Sequence, residues 1–210
     1  MRWSPESARS RNGAGPAAAL RHNVNVLSGL LPEGCALTAV LKANAYGHGD
    51  LECARICQKA GIRSFAVATA AEGARLRRGG VRGDILVLGW SGAGAVPLLR
   101  RYRLTQTVAS PEHARLLDRC GKRLRVHIKI DTGMHRLGFT ESDIDGVVAA
   151  LRNQRTLYIR SVFTHLAGSD EERHNDFTRE QIARYTAMSD RIWGFAEPRF
   201  QEYDSSRLQQ

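Results

Sequence analysis

A chain of 210 residues, 42% of them apolar, is long enough for one sizeable core, and no apolar run approaches the roughly 20 residues of a membrane-spanning helix. Lys and Arg outnumber Asp and Glu by 31 to 21, a formal charge of +10. The arginines are scattered through predicted helices (Arg75, Arg77, Arg78, Arg100, Arg101, Arg103) with no interleaved aromatics for base stacking. The surplus therefore reads as a solvated surface that favours an anionic ligand such as a phosphate ester, and not as a nucleic-acid platform.

Residues 1–16 mix Arg, Ser and Gly without the apolar core of a secretory signal, and we read them as a disordered or irregular N-terminus. Apolar spacing at Leu20, Val24, Leu27 and Leu30 predicts a helix over 17–31, ended by Pro32 and Gly34. A strand over 36–41 follows, then a helix over 51–60 closed by Gly61. Cys53, Ile56, Cys57 and Ala60 share one face of that helix and are expected to form a core stripe. Strands are predicted over 64–69, 85–88 and 104–108, with helices over 72–78, 96–101 and 111–119. Pro97 sits in the first turn of the second helix, and Ser110 is the expected cap of the third. The glycines of 89–94 fit neither G-x-G-x-x-G nor a P-loop and read as a turn.

A strand over 124–130 alternates Val126, Ile128 and Ile130 with Arg125, His127 and Lys129. A helix over 142–151, a strand over 157–165 and a helix over 178–192 complete the pattern. Thr178 and Gln181 form the pattern of a capping box at the start of that last helix, and Ile182, Tyr185 and Ile192 supply its apolar face. Residues 194–210 read as an irregular tail. The four cysteines make no Cys-x-x-Cys, which argues against a disulfide framework or zinc site and for a cytoplasmic setting.

Strands thus alternate with helices six times, the rhythm of βα units around a parallel sheet. A doubly wound sheet and a (β/α)8 barrel both fit it. Lys42, Lys129 and His165 fall at C-terminal ends of predicted strands, where a barrel carries its chemistry, so the barrel is favoured. With about six βα units in 17–193 it is expected to be incomplete. An incomplete barrel keeps two sheet edges, which predicts a labile last helix or self-association.

Three stretches carry the chemistry. The first puts Lys42 at the end of an apolar strand, where an ammonium is costly to desolvate and an amine is suited to Schiff-base formation; the plain alternative is a lysine reaching out to the rim of a sheet. The second runs from Lys129 to Gly138, with Asp131, Gly133 and Arg136 within it. The third is Phe163-Thr164-His165-Leu166. The acidic loop 168–176 has no metal-site spacing and reads as solvated, so no metal is expected.

The string Lys42-Ala43-Asn44-Ala45-Tyr46-Gly47-His48-Gly49 resembles the pyridoxal-phosphate lysine motif of the alanine racemase family. The other two stretches resemble further segments of that family. The resemblance implies that Lys42 binds pyridoxal 5'-phosphate covalently and is catalytic, and that Tyr46 meets the phosphate. It implies that Arg136 lies beside the cofactor ring as a second catalytic residue. It also implies that Lys129 can be carbamylated to anchor Arg136, and that His165 lies against the pyridine ring. The implied activity is interconversion of L- and D-alanine, with serine as second choice, by a homodimeric enzyme. The alternative is a single-domain pyridoxal-phosphate-binding protein without racemase activity. The resemblance runs from about residue 20 to 185. Beyond it, the family's last two strands, its C-terminal β-domain, and the partner tyrosine that serves as second acid/base find no match. The chain thus reads as truncated at its C-terminus, and its activity by itself is left open.

Overall fold

The structure, a computed structural model, describes residues 16–152 and 155–204. The expected irregular segment 1–16 lies outside these residues except for Pro16, which begins a helix. The chain divides into two compact units. One comprises the described residues up to Ser91 together with Pro97–Thr105, and the other Gly92–Val96 and the residues from Gln106 onward. Strand order is the order of the chain, β1 to β6.

In the first unit α1 (Pro16–Gly29) precedes β1 (Thr38–Val40), a turn of left-handed backbone α2 (Lys42–Tyr46) and α3 (Asp50–Lys59). Then come β2 (Ser64–Val67), α4 (Ala70–Arg78), β3 (Asp84–Val87) and, from Pro97, α5 (Val96–Arg101). β1 pairs with β2 and β2 with β3, both in parallel, with Ala39 opposite Phe65 and Phe65 opposite Ile85. Phe65, Val67, Leu76, Ile85 and Val87 are wholly buried, the continuous apolar pattern expected of parallel strands covered on both faces. Gly73 lets α4 come close, since a Cβ there would stand 2.8 Å from a methyl of Leu104.

The first two helices bury less of their apolar faces than their spacing allows, and the core stripe expected on α3 is narrower than predicted. On α1 only Val24 is buried, whereas Leu27 and Leu30 are exposed. On α3 the buried residues are Asp50, Ala54 and Cys57, and Cys53 lies only half-buried at its edge. β1 is shorter than predicted, with Thr38 and Val40 exposed and only Leu41 beyond it buried. An edge strand covers one flank only, so apolar character did not bring burial.

The second unit holds β4 (Thr105–Val108) from Gln106, α6 (Pro111–Arg119), β5 (Leu124–Lys129), α7 (Ile144–Arg152), β6 (Leu157–Phe163) and α8 (Asn175–Asp204). Ser110 caps α6 as expected, its hydroxyl accepting from the His113 N–H. β5 and β6 pair in parallel, with a register shift at Val126/His127. Val126, Ile128 and Ile130 are buried, matching the predicted alternation.

α8 departs most from expectation. It begins at Asn175, three residues early, and continues to Asp204, so the tail predicted as irregular from residue 194 is helical as far as the described residues reach. Thr178 and Gln181 are therefore inside the helix and form no capping box; the Gln181 side chain turns into the core instead. Six parallel strands alternating with helices match the incomplete (β/α)8 architecture, which has eight units when closed.

Candidate active site

Lys42 follows β1 directly. The Leu41 N–H extends the ladder by donating to the Ala66 carbonyl at 2.7 Å, and the chain then turns left-handed. Ala43, Asn44, Ala45 and Tyr46 all have φ between 52° and 56°, and Gly47 follows at 92°. Each non-glycine residue held in this region costs about 1–2 kcal/mol, with Asn the most tolerant. Four in succession are an outlier that something must hold, and such strain gathers at functional sites.

Two groups on α4 hold it. The Glu72 carboxylate accepts three backbone N–H groups: Ala43 at 2.9 Å on Oε1, and Ala68 at 2.7 Å and Thr69 at 3.1 Å on Oε2. Thr69 completes a capping box by accepting the Glu72 N–H at 3.2 Å. One turn on, Arg75 donates to Asn44 Oδ1 at 3.2 Å and pairs with buried Asp50 at 2.8 Å. Asn44 Oδ1 also accepts the Asp50 N–H at 3.1 Å, which ties the turn to the first turn of α3. The Lys42 side chain emerges half-buried, its Nζ 5.7 Å from the centroid of the exposed Tyr46 ring.

The second unit places Lys129, Arg136 and His165. Lys129 ends β5 with 8% of its surface exposed. Its ammonium donates to the Ile130 carbonyl at 2.7 Å and stands 5.7 Å from the Phe163 ring centroid. Burial pushes its pKa below the usual lysine value; Asp131 opposes the shift and the Arg136 charge adds to it. The segment that follows closes on itself, with Asp131 N–H donating to the Phe139 carbonyl at 2.8 Å and Phe139 N–H to the Lys129 carbonyl at 2.9 Å. The Asp131 carboxylate accepts the N–H groups of Gly133 and His135 at 3.0 and 3.1 Å. Burial raises its pKa, but these N–H groups and the His135 and Lys129 charges outweigh that and hold it below the usual carboxylate range. The loop presents Arg136 exposed to solvent.

His165 is exposed just beyond β6. Gln181, fully buried on α8, fastens its backbone to the end of β5. The Gln181 amide donates to Thr132 Oγ1 and to the His165 carbonyl, both at 3.2 Å, and its oxygen accepts the Ala167 N–H at 2.9 Å. Thr132 and Thr164 share a hydrogen bond of 2.8 Å, and Arg184 donates to the Thr132 carbonyl at 3.2 Å. In each unit the expected residues fall at strand ends: Lys42 lies with Tyr46, Lys129 with Arg136, and His165 is tied to the same segment.

Glu72, Arg75, Asp50 and Gln181 went unremarked as site residues in the sequence. Only Glu72 carried a signal, the Thr69-x-x-Glu72 pattern of a helix start.

Residues 17–205 match the family described as alanine racemase, N-terminal domain. An alanine racemase of Geobacter sulfurreducens is 38% identical over 192 residues, covering 87% of this chain and 50% of that protein. A serine/alanine racemase of Enterococcus gallinarum is 38% identical over 191 residues, covering 91% of this chain and 27% of that protein. The solved alanine racemase of Bacillus anthracis with bound L-Ala-P superposes with a TM-score of 0.79 at 30% identity, covering 85% of this chain and 47% of that one. The chain thus spans about a quarter to a half of the length of the curated relatives it matches. With the family match covering most of its length, this chain belongs to the alanine racemase N-terminal domain family.

Proposed function

We propose that this chain is the cofactor-bearing part of a pyridoxal-phosphate-dependent amino-acid racemase, acting on alanine first and serine second. The observation that carries the reading is Lys42 at the end of β1, on a strained turn that α4 grips at two points. The residues suit the cofactor: a half-buried primary amine to take an aldehyde, and a tyrosine hydroxyl on the same turn to donate to a phosphate. Pyridoxal phosphate bound there would supply the electron sink that makes an amino acid's α-proton labile.

Lys42 then has two tasks. Its amine would hold the cofactor, and the same amine would carry the substrate's α-proton on one face. In the second unit, the lowered pKa of Lys129 favours the neutral amine, which is the form that adds carbon dioxide. A carbamate there would exchange a cation for an anion and draw the Arg136 guanidinium into a charge-assisted pair. Arg136 so held would orient the anionic groups of cofactor and substrate, and His165 would flank the ring. The opposite-face acid/base has no candidate among the described residues. Free cysteines at 35, 53, 57 and 120 support the cytosolic setting.

The test is to mix the purified chain with pyridoxal phosphate, reduce with borohydride and map the label, then assay D-alanine formation. We expect the label on Lys42 and its loss in Lys42→Ala. Label spread over surface lysines would overturn the reading. Label on Lys42 without turnover would favour the alternative of a cofactor-binding protein.

A further inference from the structure

We propose that Glu72 is a positioning residue for Lys42: by holding the Ala43 N–H it fixes the left-handed turn that aims the lysine. The inference builds on the role given to Lys42 above and adds a residue 30 positions further along the chain. Glu72 does more than cap its own helix. A capping box needs one oxygen of the N3 side chain turned to the N-cap N–H. Here Oε2 does that and also accepts from Ala68, which leaves Oε1 for Ala43, the residue next to Lys42.

Only a carboxylate satisfies all three donors. An ionised Glu is acceptor-only on both oxygens, whereas Gln has one acceptor and one NH2 group. Glu72→Gln would keep its oxygen on Ala68 and Thr69, where two donors wait, and turn its NH2 toward the Ala43 N–H. Two donors would then face each other and the grip on the turn would be lost while the helix stayed capped. The strain makes this grip matter. Ala43 and Ala45 gain nothing from left-handed backbone, so a turn released at Ala43 relaxes toward negative φ and carries Lys42 with it. Arg75 directs its guanidinium to the Asn44 side chain and to Asp50, so it does not replace the lost bond at Ala43.

The experiment compares the full chain with Glu72→Gln and Thr69→Ala, with Glu72→Asp, one methylene shorter, as reserve should the amide variant not fold. Three readouts are taken: hydrogen exchange at the Ala43 amide, the rate of reductive methylation of Lys42 by formaldehyde relative to Lys59, and pyridoxal-phosphate label on Lys42. Loss of one hydrogen bond should speed Ala43 exchange about tenfold in Glu72→Gln. The Lys42:Lys59 methylation ratio should change at least about threefold, and the Lys42 label should fall by a similar factor. Thr69→Ala, which removes the other half of the capping box, should leave all three within about twofold. Unchanged exchange and methylation in Glu72→Gln would overturn the proposal, as would equal changes in Thr69→Ala, which would reduce Glu72 to a helix cap. If the starting chain takes no label on Lys42 while exchange and methylation still respond to Glu72→Gln, the cofactor reading fails and the positioning role stands.

Discussion

At the end of β1 a left-handed turn exposes Ala43, Asn44 and Tyr46 and buries only Ala45, and charged side chains from one helix grip it at Ala43 and Asn44. At the end of β5 the segment from Lys129 to Phe139 closes on its own backbone, and a neutral, fully buried glutamine secures it from beneath. The difference shows two ways to hold a lysine still. The first region stores strain and restrains it with ionic groups that water can reach, so each bond is worth little and the turn can yield. The second stores little strain outside His135 and its glycines, and its central bond joins two buried side chains, Gln181 and Thr132, where a lost partner leaves a polar group away from water. The first leaves its lysine room to move. The second suits one that must stay in place.

Gly138→Ala should break the second region most severely. Gly138 has φ +128°, and a Cβ there would lie 2.7 Å from the Asp131 nitrogen and the Ile130 carbonyl carbon. Backbone must move, and we expect a loss of about 3 kcal/mol or more in urea unfolding. A loss under about 1 kcal/mol would mean the loop is not closed as described.

Gln181→Leu comes next. It removes three hydrogen bonds, to the Ala167 N–H, the His165 carbonyl and the buried Thr132 hydroxyl, and should cost about 2–3 kcal/mol by the same measurement. Asn44→Ala, in the exposed region, removes bonds to Asp50 and Arg75 yet should cost only about 1 kcal/mol. Equal costs would erase the contrast between the two regions.

Lys129 offers a pH test. Its pKa is lowered in the folded chain, so the unfolded chain binds that proton more tightly and the buried charge lowers stability at neutral pH. The penalty is fully present below the folded pKa and fades as pH climbs toward the unfolded value near 10.5. The starting chain should therefore gain stability relative to Lys129→Met as pH rises through that window. A flat difference curve would show that Lys129 is solvated.

The smallest effect has the opposite sign. Ala43→Gly should stabilise the fold by about 0.5 kcal/mol, because glycine takes φ 52° without steric cost and this gain slightly exceeds its larger unfolded-state entropy. A destabilised variant would show that the turn is not left-handed.

Much of the fold was legible because its signals are local. Gly61 and Gly79 end helices, Ser110 caps one, and apolar runs at 64–67 and 85–87 are buried strands; each depends on residues a few positions apart. The start of α8 was missed for a local reason too. Thr178 and Gln181 have the spacing of a cap, yet the helix had already begun at Asn175.

By itself the sequence determined where the reactive groups fall along the chain. Lys42, Lys129 and His165 follow apolar strands, and strand ends can be read from composition and punctuation. What held those groups was decided only in three dimensions. Glu72 lies 29 residues from Ala43, and Gln181 lies 49 from Thr132. Neither spacing belongs to any helical or strand period, so no pattern announces the bond. The left-handed turn is hidden for the same reason. Ala, Ala and Tyr have no preference for positive φ, and only the grip from α4 makes that conformation the lowest in free energy.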